Sequence, residues 1–234
     1  MTTTIPTREL VHTMPSPATT STDTIGTRLA AAAGVAFVVL TVASTFAAGS
    51  PPASDASAAK IATYFHDHSG GIKAQLLLGG LGIAALVWWF GALWRLLSRA
   101  EDERPRLAMV AAVALAVGLS LAMLNGVVVA TAALRAGDRA TTHLLYTFSV
   151  VAISAAGFGI GTFLLATNVL TLRHRITPPW VSCVGVGAAL AFLASTIGSV
   201  TDAPAYLVIG LVAFLTWCVW ILAVSATMWR STSS

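Results

Sequence analysis

Six apolar runs, each long enough to cross a bilayer, constrain this chain more than any other feature. They fall at about 29–48, 72–97, 107–134, 143–172, 180–200 and 204–229. A helix of about 20 apolar residues spans the hydrocarbon core. Because lipid offers no partner to a backbone N–H or C=O, such a run must bond its own backbone and is therefore helical. The expected fold is all-α: a polytopic membrane protein with a bundle of six transmembrane helices. Short loops between spans three to six imply consecutive antiparallel hairpins. Only 9% of the residues are charged and 56% are apolar, whereas a soluble domain carries about 25% charged residues.

Residues 1–27 are rich in Thr, Ser and Pro and read as a disordered cytoplasmic tail. The six-helix domain is expected over 28–230. Its first span, after Arg28, has a cleaved signal peptide as rival reading. The long leader and the length of the run favour a retained anchor. Between spans one and two, Ala58, Ile61, Ala62 and Phe65 recur at helical spacing. They predict a short extracytoplasmic amphipathic helix over about 55–68, lying on the outer surface or over the bundle. Ser54 or Asp55 can cap its start and Gly70 its end. Thr201 or Asp202 can cap the sixth span, with Pro204 in its first turn.

Basic residues orient the spans. With the N-terminus inside, the inner segments hold Arg8, Arg28, Arg95, Arg99, Arg104, Arg106, Arg173, Arg175 and Arg230, against Lys60, Lys73, Arg135 and Arg139 outside. Both termini are thus expected in the cytoplasm. The seven Trp lie toward that side or near the midplane, and the three Tyr lie outside. Eleven of the thirteen basic residues are Arg, a bias pointing to a GC-rich bacterial genome and to the bacterial cytoplasmic (inner) membrane. The basic residues form no patch, so nucleic acid is not an expected partner; the lipid bilayer is.

No Asp, Glu, Lys, Arg or His is expected at depth in a span. Ion-coupled carriers, proton relays and voltage sensors need such groups, and haem between helices needs axial ligands. No cofactor is expected. Cys183 and Cys218 should sit at different depths, too far apart for a disulfide.

Asn125, in the third span, is the most polar side chain placed well within a run. It should face inward, either bonding a neighbouring helix or supplying a polar contact to a ligand. Trp88, Trp89, Trp217 and Trp220 are candidates to line an apolar pocket with it. His66, Asp67, His68 and His143 all face outward and are metal-ligand types. His66 and His68 are two residues apart on a helix, however, which turns them to different faces; the plain reading is a solvated last turn, where positive charge is favourable. Gly157 and Gly161 make a small-residue face four apart, for close packing within the bundle or between copies. They lie inside an apolar helix, so a phosphate-binding loop is excluded. Gly80-Leu-Gly-Ile-Ala resembles Gly157-Phe-Gly-Ile-Gly, a possible trace of duplication that apolar low-complexity sequence also yields by chance.

Three stretches, PPASDASAAKIATYFHDHSGGI, GGLGIAALVWWFGALWRLL and AAGFGIGTFLLATNVL before PPWVSCVGVG, resemble a group of uncharacterised actinobacterial integral membrane proteins. The resemblance covers about 28–230. It implies six spans and a small outer helix, and brings no assigned activity.

The first expectation for function is an accessory or structural membrane protein packing against itself or a membrane partner. The alternatives are a binder or carrier of a lipid or other apolar small molecule within the bundle, and an extracytoplasmic metal-dependent membrane enzyme.

Overall fold

A computed structural model describes residues 21–53, 56–101, 105–200 and 206–230. Seven helices account for nearly all of them: α1 (Ser21–Ala47), α2 (Ala58–Asp67), α3 (Ser69–Ala100), α4 (Arg106–Leu134), α5 (Arg139–His174), α6 (Pro179–Val200) and α7 (Tyr206–Arg230). All but α2 are long and apolar enough to cross a membrane. The protein is a membrane-spanning helical bundle, and its surroundings are a lipid bilayer.

The six long helices close into a ring in chain order. α1 packs on α3, α3 on α4, α4 on α5, α5 on α6, α6 on α7, and α7 returns to α1. Short connections make sequential helices neighbours, and an even number of them makes every neighbouring pair antiparallel, the closing pair included. Large apolar side chains ring the outside, among them Leu77, Trp88, Val151 and Val208, each more than 50% exposed. Such an exterior suits lipid. At α4–α5 the backbones themselves touch: a Cβ on Gly159 would lie 2.7 Å from the Ala114 carbonyl oxygen and 2.7 Å from Gly118 Cα. Only glycine permits that approach.

Local chemistry sets the ends. Glu101 accepts hydrogen bonds from the N–H groups of Leu107 (3.1 Å) and Ala108 (2.8 Å), satisfying donors that begin α4. Asp138 caps α5 through Thr141, accepting from its N–H (3.2 Å) and its hydroxyl (2.6 Å). These bonds, with the Arg135 charge, hold the exposed Asp138 carboxyl below its ordinary value.

Two features differ from the sequence reading. α1 begins at Ser21, seven residues inside the expected tail; a helix already nucleated by its apolar run extends at little cost. Gly70 does not end α2. His68 alone joins α2 to α3, whose first turn contains Gly70 and Gly71. First-turn N–H groups lack helical partners in any case, and Gly71 leaves room for the end of α1: a Cβ there would overlap the Ala47 carbonyl. Ser57 caps α2, accepting from Lys60 N–H at 3.4 Å. The other expected caps, Ser54, Asp55, Thr201 and Asp202, lie outside the described residues, as do Pro204 and residues 1–20 of the tail.

α2 is a strap across one end of the ring. Its buried stripe, Ile61, Ala62 and Phe65, rests chiefly on α5 and also on α4 and α3, packing with Ala48, Ile72, Ala132 and Tyr146. Two phenols fasten it. Tyr64 donates to the Ala48 carbonyl at 2.9 Å, and Tyr146 donates to the Pro52 carbonyl. Burial pushes the Tyr64 phenol above its usual pKa, so it stays a neutral donor.

The half of the ring farther from α2 is filled. Trp89, Phe163 and Trp220 are each at most 1% exposed. Trp220 meets Trp89 and Phe163 edge-to-face, with centroids 5.9 Å apart in both pairs. Each indole N–H has an acceptor: Trp89 donates to Ser225 Oγ at 3.0 Å and Trp220 to Asn168 Oδ1 at 2.9 Å. Glycines make room for both polar partners. A Cβ on Gly34 would overlap Ser225, and one on Gly185 would overlap the Asn168 amide. At this end Arg28 of α1 lies over the Trp229 ring of α7, 5.7 Å from its centroid.

Candidate functional site

The half of the ring nearer α2 is hollow. A cavity of about 490 Å³ lies there, walled by residues from all six long helices. The value is within the range of about 300–1,000 Å³ common for small-molecule sites. It forms because the inward side chains are short or absent where the packed half carries indoles. Gly79 and Gly80 on α3 and Ala122 and Gly126 on α4 all face it. At Gly80 a Cβ would meet nothing within 4 Å. Ile72 and Val129 belong both to the wall and to the cluster packed with α2, so the strap borders the cavity.

The floor is Trp217, one turn before Trp220 on α7. Its ring is held by Phe37, with centroids 5.2 Å apart, and by Phe192, edge-to-face at 5.8 Å. Both phenylalanines also face the cavity. None of the described wall residues carries a charge at neutral pH.

Several wall hydroxyls are already bonded. Ser44 donates to the Thr41 carbonyl (2.7 Å), Thr45 to Val42 (2.7 Å), Thr196 to Phe192 (2.9 Å) and to Ser154 (3.0 Å), and Ser195 to Tyr206 (2.9 Å). Such bonds to nearby carbonyls keep hydroxyls satisfied inside a membrane helix. Thr41 Oγ1 and Trp217 Nε1 differ: both are buried, and neither has a hydrogen-bond partner among the described residues. An unpaired buried polar group costs about 1–3 kcal/mol. Gln75 and Asn125 also line the cavity, and neither side-chain amide bonds to another described residue.

A domain of unknown function, DUF4386, matches residues 32–225. The chain belongs to that family. No curated protein and no solved structure matches it. The DUF4386 match takes in the whole cavity wall, from Phe37 to Trp217.

Of the residues singled out from the sequence, Gly80, Asn125, Gly157 and Trp217 line the cavity of this DUF4386 chain. Trp89 and Trp220 lie in the packed half, and Trp88, 68% exposed, faces outward. Adjacent helix positions diverge by about 100°, so Trp88 and Trp89 cannot share a face. The histidines do not converge. His66, Asp67 and His68 are exposed and His143 is half-buried; His68 stacks on Tyr64 at 4.7 Å and its Nδ1 lies 3.0 Å from the Tyr64 carbonyl. Among the described residues no three His, Cys, Asp or Glu side chains gather as a metal-binding group. Gly157 and Gly161 meet α6: a Cβ on Gly157 would overlap Thr196 Oγ1, and one on Gly161 would lie 3.0 Å from Leu193 Cγ.

Sequence reasoning sets Gln75, Asn168 and the scattered Ser and Thr, Thr41 among them, aside as close to span ends or able to bond their own backbone. Asn168 is 1% exposed and donates to the Leu164 carbonyl at 2.7 Å while accepting from Trp220. A signal was present in Trp220: a buried indole N–H needs an acceptor. Asn168 lies in the same half of the bundle as Trp220, and the two side chains meet across the ring.

Proposed function

We propose that this protein binds an uncharged, largely apolar small molecule inside its helix bundle, in the cavity next to α2. The observation that carries the reading is the cavity itself: about 490 Å³, bordered by all six spanning helices and by no charged group. A ligand with a net charge would have to shed its hydration with no counter-charge to meet it, which is costly. An apolar ligand gains from burial and reaches the protein through the bilayer. Asn125 and Gln75 are polar side chains of the wall available to it.

The floor formed by Trp217, backed by Trp89 and Trp220, favours retention of a molecule over passage across the bundle. Binding or sequestration is the proposed role. The accessory reading drew on Gly157 and Gly161 as a face for a partner, and both are taken up by α6 within the chain. The location proposed is a bacterial inner membrane, with the α2 end outside and both termini in the cytoplasm. Nine basic residues against four support that orientation. A reporter fused after Ser234 that works only outside the cytoplasm contradicts it.

Solvent extraction of the purified protein, followed by mass spectrometry, tests the binding reading. The expected result is a neutral apolar compound recovered in up to equimolar amount, and lost or reduced in Gly80→Leu, whose side chain enters the cavity. No compound enriched over bulk lipid, or equal recovery from both proteins, overturns it.

A further inference from the structure

The chain contains three side-chain amides, Gln75, Asn125 and Asn168. Asn168, in the packed half, donates to the Leu164 carbonyl and accepts from Trp220. Gln75 and Asn125 line the cavity, and neither amide bonds to another described residue. Both residues are half-buried, and their amide atoms, unlike the indole nitrogen of Trp217, keep accessible surface. An amide in hydrocarbon needs a partner, and the space beside these two is the cavity. They lie at similar depth on α3 and α4, because their chain neighbours Leu76 and Gly126 meet: a Cβ on Gly126 would lie 3.2 Å from Leu76 Cδ1. Along α3, Gln75 falls between Ile72, packed with α2, and Ile83; along α4, Asn125 falls between Val129, also packed with α2, and Leu119. The cavity is therefore polar toward α2 and apolar toward its floor, where Phe37, Ile83, Leu119, Ile160 and Trp217 line it.

We infer that the ligand is a neutral amphiphile: an uncharged head with hydroxyl chemistry sits at Gln75 and Asn125, and an alkyl tail runs down to the Trp217 floor. The inference rests on the proposal that the cavity binds an apolar ligand, and adds the head that ligand carries and the direction in which it lies. Each primary amide offers two N–H donors and a carbonyl acceptor, so a hydroxyl can donate to one amide and accept from the other. None of the described wall residues is charged, and an ionic head would shed its hydration with no counter-charge to meet it. The wall hydroxyls of Ser44, Thr45 and Ser195 already donate to backbone carbonyls, which leaves the two amides with donors to spare. A pure hydrocarbon of the same length leaves both amides unsatisfied, and such a mismatch separates otherwise equal ligands.

The test uses the full chain in lipid nanodiscs, with 15N-labelled side-chain amides and 13C-labelled Ile methyls. The probes are a matched pair, 1-undecanol and n-dodecane, each at a known mole fraction in the lipid. Gln75→Met and Asn125→Leu assign the two amide signals by their loss. Both probes are expected to shift the Ile83 and Ile153 methyls, reporting occupancy. Only the alcohol is expected to move the Gln75 and Asn125 amide protons, with those of Asn168 unmoved. The alcohol should bind roughly tenfold more tightly than the alkane, and that preference should vanish in the double variant, Gln75→Met with Asn125→Leu. Because these amides make no internal bond, the double variant should melt no lower than the wild type; a clear drop shows that they serve the fold and overturns the inference. If both probes shift the methyls but neither moves the two amides, the amphiphile inference fails while the binding proposal stands. An alcohol preference that survives in the double variant overturns it as well. If neither probe shifts the cavity methyls, the binding proposal itself fails.

Discussion

Trp217 and Trp220 lie one turn apart on α7, and their surroundings have little in common. Trp220 has two aromatic edges, an amide acceptor, and a glycine on α6 that clears room for that amide. Around Trp217 two rings hold the indole in place and nothing described accepts its proton. The first environment stabilises a fold. The second leaves a polar group unsatisfied, which folding alone does not favour. The same six helices build both halves, so the difference comes from side-chain size and from where acceptors were placed.

The largest expected contrast between the halves is at glycine. Gly159→Leu drives a side chain into the α4 backbone and should cost about 3 kcal/mol or more. Gly80→Leu enters open space and should change stability by less than about 1 kcal/mol while reducing or abolishing ligand binding. Thermal unfolding of the two variants in the same detergent checks this; equal destabilisation erases the distinction.

Next in size is a pair on α7. Trp220→Phe strands the Asn168 carbonyl, whereas Trp217→Phe strands nothing. The volume removed is the same, so the difference between the two, about 1–2 kcal/mol, isolates the hydrogen bond. Asn168→Leu, which removes the acceptor and leaves the Trp220 N–H unpaired, should be as harmful as Trp220→Phe.

The ring of six spans and the α2 strap were legible in the sequence, because the hydrocarbon solvent imposes long apolar runs and α2 broke that rule with a stripe of Ile61, Ala62 and Phe65. The cavity was not legible. Whether Gly80 faces a partner or open space depends on helix rotation and on the residues opposite, and mixed Gly, Ala, Leu and Val runs encode that rotation weakly. Asn125 stood out because it interrupts such a run, and it does face the cavity. Asn168 was underrated for the converse reason: its acceptor role exists only once α5 and α7 are brought together across the bundle. Trp88 and Trp89 show the same limit, adjacent in sequence and on opposite sides of the helix wall.

Smaller effects test the strap that borders the hollow half. Tyr146→Phe removes the bond to Pro52 and should weaken α2 docking by about 1 kcal/mol, seen as faster amide exchange over 58–67 and faster ligand exchange, with the packed half unchanged. The smallest effect is at Asp138. Its carboxyl titrates below the ordinary value in the folded protein, chiefly because the Thr141 hydroxyl and N–H bond to its charged form. The stabilisation is therefore present at neutral pH and fades as pH falls through that depressed value. Amide exchange in the first turn of α5 should accelerate there, and Asp138→Asn should flatten the response.

The contrast between a hollow half and a filled half is most directly tested by photolabelling in nanodiscs with a neutral alkyl diazirine, mapped by mass spectrometry. Lipid-facing residues such as Leu77 and Trp88 will be labelled in any case. The hollow half predicts additional labels on Ile83, Asn125 and Ile153, lost or reduced in Gly80→Leu, with none on Phe163, Leu164 or Trp220. Labels confined to the lipid face, or spread equally through both halves, would contradict it.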